Sequence, residues 1–135
     1  MNRLEASTLA TPEAICALTE RILTFLEEQQ VDARATHHVA MVVEEVLTNL
    51  GTHGNCRETP ARVTIAVEPK EVRGEVIDSG PPFDPRQAPD PDINAPIENR
   101  EVGGIGLYLV RQLSSALEYT HRNGENCTTF AIART

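Results

Sequence analysis

Glu45 and Asn49 stand four residues apart in the run Glu45-Val46-Leu47-Thr48-Asn49, with His53-Gly54 just beyond. On a helix that spacing puts both side chains on one edge, which His53 continues if the helix runs another turn. The side-chain carbonyl of Asn49 could ligate a Mg²⁺ that also holds phosphate oxygens, because magnesium takes few protein ligands and keeps its waters. Glu45, one turn away, could accept the proton of an attacking hydroxyl or water. Its neighbour Glu44 projects from the opposite side of the apolar stripe and should be solvated. Taken alone, such a pair is better explained as an amphipathic helix with polar edges.

Two further segments supply complementary chemistry. Asp78 ends a hydrophobic run and is followed by Ser79-Gly80-Pro81-Pro82-Phe83-Asp84. A carboxylate there can accept from the exocyclic amine of adenine, and Gly80 lets a base approach the backbone. An Asx-type turn after a strand would use the same letters equally well. Gly103-Gly104-Ile105-Gly106-Leu107 opens a helix, where backbone N–H groups attract anions and glycines let phosphate oxygens come close. The run is neither a Walker motif nor a strand-linked dinucleotide fingerprint, and a glycine hinge before a core helix is its plainer reading. Together the three segments offer a base, a metal ligand, a purine reader and a phosphate cradle.

The elements that must position them are legible from periodicity. A weakly alternating stretch over residues 3–9 predicts a first strand. Thr11-Pro12-Glu13 reads as a cap with proline at the first helical position, opening a helix to about Gln30 with apolar Ile15, Leu18, Ile22, Phe25 and Leu26. Val39, Val42, Val43, Val46, Leu47 and Leu50 form one apolar stripe of a second helix. Two strands over 62–67 and 72–77 are joined by Glu68–Glu71, which suits an antiparallel hairpin. From Pro81 to Val102 six prolines interrupt an acidic segment that forms no long regular element. A third helix is expected from about Gly104 to Leu117, burying Ile105, Leu109, Val110, Leu113 and Leu117. Strands over 118–122 and 127–133, around the turn Asn123-Gly124, close the chain. The order β-α-α-β-β-loop-α-β-β predicts an α+β two-layer sandwich, helices covering one face of a mixed, mostly antiparallel sheet.

The 135 residues predict a single domain, 1–135, long enough to bury a real core. Aromatic residues make up 4% and Trp is absent, so the core must be aliphatic and a base-stacking platform is not expected. A net charge of -8 disfavours nucleic acid or an anionic membrane as partner. Cys16, Cys56 and Cys127 form no C-x-x-C pair, which points to reduced thiols and a cytoplasmic location. No apolar run approaches membrane-spanning length, and His37-His38 lacks a further ligand at metal spacing.

As a set, the three segments resemble the histidine-kinase-like (GHKL) ATPase superfamily, and more narrowly its anti-sigma-factor serine/threonine kinase branch. Glu45–Asn49 with His53-Gly54 matches the family's N box. Asp78-x-Gly80-x-Pro82-Phe83-Asp84-Pro85 matches its first glycine box in the Pro-Phe-Asp form of this branch, and Gly103 to Val110 matches the second. The resemblance implies ATP and Mg²⁺ as cofactors, Glu45 as catalytic base, Asn49 as magnesium ligand and Asp78 as adenine reader. It extends the nucleotide contacts to His53, Gly80 and Phe83, to Gly103, Gly104, Ile105, Gly106 and Leu107, and to Thr128, with Thr129 as the alternative to Thr128. An ATP lid over residues 85–102 is implied as well. Two departures are Ser115, where the family commonly has an acidic residue, and Val102, where some relatives place Arg.

The function implied is a serine/threonine protein kinase that phosphorylates an anti-sigma-factor antagonist protein and sequesters a sigma factor or other regulator by partner switching. A homodimer is compatible with that reading. The alternative is a non-catalytic, ATP-responsive protein-binding module; retention of Glu45 favours the enzyme. A histidine-kinase ATPase domain is the weaker third, since no dimerisation hairpin precedes the site and the Pro-Phe-Asp box points elsewhere.

Overall fold

The computed structural model describes residues 2–53, 58–87 and 104–135. Arg3–Thr8 forms β1, Pro12–Glu28 α1, Ala33–His53 α2, Ala61–Val67 β2, Glu71–Asp78 β3, Gly104–Leu113 α3, Ala116–Arg122 β4 and Glu125–Ala133 β5. The five strands form one sheet in the order β1-β2-β3-β5-β4, and every pairing is antiparallel. The α+β expectation is met, and the parallel component allowed for in a mixed sheet does not occur among the described strands.

Period-two alternation decides which side of the sheet meets the helices. Val63 and Ile65 of β2, Val72 and Val76 of β3, and Phe130 and Ile132 of β5 turn inward. They pack against Ile22 and Leu26 of α1 and Val39, Val42, Val43 and Leu47 of α2 in one aliphatic core. Thr11 caps α1 by accepting from the Ala14 N–H at 3.3 Å, with Pro12 at the first helical position as the sequence indicates. Asp32 opens α2: its Oδ2 accepts from the Ala35 N–H at 3.1 Å and its Oδ1 from the Thr135 N–H at 3.1 Å. Those backbone donors hold the Asp32 carboxyl down at about 2. Both residues of the β4–β5 turn are left-handed, Asn123 at φ 56° and Gly124 at φ 77°, which suits a tight hairpin.

The third helix is shorter than its apolar spacing suggests. It ends at Leu113, and Leu117 lies in β4 as a half-buried neighbour of the core. The Ser115 N–H and hydroxyl both donate to the Ala131 carbonyl, at 2.8 and 3.1 Å, committing the chain to the sheet. Serines so placed compete with helical bonding. Pro85–Gln87 forms one 3-10 turn, capped by Asp84, which accepts from the Arg86 N–H at 2.9 Å and pairs with its guanidinium at 2.8 Å. Among the described residues, no helix is long and apolar enough to cross a membrane.

Candidate functional site

The helix-facing side of the sheet changes from apolar to polar towards the end of β3. In register across β3, β5 and β4, the row Gly74–Phe130–Leu117 is followed by Val76–Thr128–Tyr119 and then by Asp78–Asn126–His121. Asp78, Asn126 and Thr128 are buried, with exposures of 4%, 3% and 6%. Thr128 therefore shares a face with Asp78, whereas Thr129 points to the opposite face, where it lines a surface hollow with Arg73 and Glu75.

The Asp78 carboxylate makes the Asx turn that the sequence allows, its Oδ2 accepting from the Gly80 N–H at 2.9 Å. It is also buried and further held, because Asn126 Nδ2 donates to the same oxygen at 3.1 Å. Among the described residues Asp78 Oδ1 engages no other group, so one acceptor remains available on a fixed carboxylate. Turn-maker and ligand reader are compatible here because they use different oxygens.

Asn126 was not among the residues singled out from sequence. Its Nδ2 reaches the Gly80 and Pro81 carbonyls at 3.1 and 3.0 Å, and its Oδ1 faces the Tyr119 hydroxyl and, at 3.1 Å, His121 Nδ1. The Tyr119 hydroxyl in turn accepts from the Phe83 N–H at 3.0 Å, while the Phe83 ring is 41% exposed. The polar end of β4–β5 thus anchors the Gly80–Phe83 segment. The signal in the sequence was faint: a polar residue in step with inward-facing Thr128 and Phe130.

On α2, Glu45 is half-buried and faces the first turn of α3, its carboxylate lying where a Cβ on Gly106 would sit. Burial pushes the Glu45 carboxyl above its ordinary value, and the neighbouring Glu44 charge adds to the shift. Glu44 is exposed on the other side, lining a hollow between α1 and α2 with Cys16, Thr19 and Thr48. Asn49, one turn beyond Glu45, is 8% exposed, and its amide has no side-chain partner among the described residues. An amide on a buried residue, one turn from a carboxylate and without a partner among the described residues, fits a divalent ion held chiefly through substrate phosphates. Leu107 and Val110 seat α3 against the core side. His53 is the last residue of α2, and Gly104 and Ile105 open α3. The side chains of His53 and Ile105, and the whole of Gly54, Gly103 and residues 88–102, lie outside the described residues. The proposed burial of Ile105 and most of the implied lid fall there too.

The profile of the Histidine kinase-like ATPase domain matches residues 8–132. Serine/threonine-protein kinase BtrW of Bordetella bronchiseptica is 31% identical over 96 residues, 70% of this chain and 68% of that protein. Serine-protein kinase RsbW of Bacillus cereus is 31% identical over 90 residues, and the match spans 62% of this chain but 56% of that one. Among solved structures, the RsbU and RsbW domains of a Mycobacterium tuberculosis protein superpose with a TM-score of 0.71 at 19% identity. That match covers 100% of this chain and 33% of the larger one, and it speaks to the fold alone. With an antiparallel five-stranded sheet and three covering helices among its described residues, and a family match over nearly its full length, the chain belongs to the histidine kinase-like ATPase domain family.

Proposed function

We propose that this protein is an ATP-dependent serine/threonine protein kinase of the anti-sigma-factor type. In this reading it phosphorylates an antagonist protein and, in another state, sequesters a sigma factor or other regulator in the cytoplasm. The observation that carries the proposal is the half-buried Glu45 carboxylate set against Gly106, in the first turn of α3 and one turn from the buried Asn49 amide. A packing residue on an amphipathic helix has no need of a carboxylate there, where burial raises the cost of its charge. The kinase names of BtrW and RsbW support the same chemistry and the choice of serine or threonine as acceptor.

The residues divide the work as follows. Asp78 accepts from the adenine exocyclic amine through its open oxygen, and Thr128 lines the same face. N–H groups in the first turn of α3 face the phosphates, where the positive end of the helix dipole offsets negative charge. Asn49 would hold Mg²⁺, which when bound neutralises charge on the phosphate oxygens. Glu45 accepts the proton of the attacking serine or threonine hydroxyl as its oxygen bonds to the γ-phosphorus. The bond to the bridging oxygen breaks and ADP leaves. A carboxyl whose proton affinity is raised is the better base for that step.

Calorimetric titration with Mg-ATP, followed by transfer of a γ-label to serine or threonine of the antagonist, tests the proposal. Binding with transfer is expected. Binding without transfer by the wild type would favour an ATP-responsive binding module, and absence of binding would remove both.

A further inference from the structure

We propose that Asn126 is a positioning residue that gives the site its preference for adenine, by fixing which oxygen of Asp78 is presented to the base. The inference rests on the reading of Asp78 as the base acceptor. A lone carboxylate at a strand end can rotate and offer either oxygen, or recruit water. Here Oδ2 is saturated by two N–H donors, the Gly80 backbone at 2.9 Å and Asn126 Nδ2 at 3.1 Å. Among the described residues Oδ1 is the oxygen left open, an acceptor in a fixed direction. An acceptor so held suits an exocyclic amine and repels a ring carbonyl, which is the difference between adenine and guanine at that edge.

The other bonds of Asn126 explain how one amide can be so directive. It is 3% exposed, its Nδ2 also meets the Gly80 and Pro81 carbonyls, and its Oδ1 is held by Tyr119 and His121. These contacts fix the amide orientation, so Nδ2 rather than Oδ1 faces the carboxylate. The same amide clamps both the reader and the backbone after it, and its two hairpin partners come from β4. A buried network of this kind is directional only when every member is satisfied.

The test compares ATP and GTP dissociation constants, by calorimetry with the magnesium nucleotides, in the wild type and in Asn126→Ala, Asn126→Ser, Asp78→Ala and Tyr119→Phe. Asn126→Ser removes the amide donor while leaving a small hydroxyl that buries no charge, so it serves if Asn126→Ala folds poorly, as judged by thermal melting. Both Asn126 variants should weaken ATP by about tenfold, the loss expected for a buried bond to a charged group, with GTP changing far less. Tyr119→Phe removes one of the two bonds on Asn126 Oδ1 while leaving Asp78 and Nδ2 in place, so it should lower the melting temperature and reduce the ATP-to-GTP preference by less than the Asn126 variants do. In an Asp78→Ala background Asn126→Ala should have no further effect on that ratio. An equal loss for both nucleotides in the Asn126 variants would reduce Asn126 to a structural residue and overturn the inference while leaving Asp78 as reader. An unchanged ratio in Asp78→Ala itself would overturn the reading of Asp78 and the inference with it.

Discussion

The Glu45 carboxylate rests in the space that a Cβ on Gly106 would fill, so the second and third helices meet through a charged group and a missing side chain. Gly106→Ala therefore sets two effects against each other. An alanine in a helix favours stability by up to about 1 kcal/mol over glycine. Its methyl displaces the Glu45 carboxyl, the far end of a flexible side chain that can swing away. The expected outcome is a melting temperature at or above that of wild type together with a clear loss of phosphoryl transfer. Thermal melts and transfer rates on the same preparation check both halves.

The raised proton affinity of Glu45 makes a second prediction with a definite sign. Burial, followed by the Glu44 charge, raises the carboxyl above 4.5 in the folded protein. A group shifted upward favours folding in its protonated form, so its contribution is full below the unfolded value and is lost as pH rises through the folded one. Glu45→Gln, which cannot ionise, should match or exceed wild-type stability at neutral pH, with the difference vanishing below pH 4.5. Urea melts across that range read it directly. The acid limb of the transfer rate should fall at a pH above 4.5 in the wild type.

Asp78→Ala removes the open acceptor and the Asx turn together. ATP affinity should fall by on the order of 1–3 kcal/mol, the cost of leaving a base donor unpaired. Calorimetry with ATP measures this, and an unchanged affinity would take Asp78 out of the site.

Much of this is legible in the sequence, for reasons that differ by element. The stripe Val39, Val42, Val43, Val46 and Leu47 is fully inward because a straight helix leaves it no other side, and the same geometry put Glu45 and Glu44 on opposite edges. Asn123-Gly124 specified its turn through residues that tolerate left-handed backbone. The third helix was overextended because Leu113 and Leu117 keep helical spacing across a break that only the Ser115–Ala131 bonds reveal. Asn126 went unnoticed for a related reason. Next to a hairpin turn an asparagine looks like turn chemistry, and its partners Asp78, Gly80 and Pro81 lie 48, 46 and 45 residues away in sequence. Only the β3–β5 register, which pairs Asp78 with Asn126, brings them together. For Thr128 against Thr129 the alternation was present, but its phase was fixed by the sheet.

The most direct measurement is single-turnover transfer from γ-labelled ATP to the antagonist protein by wild type, Glu45→Ala and Glu44→Ala, with ATP affinity determined for each. Glu45 sits against the first turn of α3, one helical turn from Asn49, whereas Glu44 lies exposed on the other edge of the apolar stripe of α2. Glu45→Ala should keep ATP binding and lose roughly 10²–10⁴-fold in transfer, the contribution of a positioned base. Glu44→Ala should keep ATP binding and stay close to wild type in transfer, its one expected effect a small downward shift of the acid limb as the Glu44 charge is removed from beside Glu45. Equal transfer by wild type and Glu45→Ala would contradict the assignment of Glu45 as the base, and no transfer by the wild type would contradict the kinase itself.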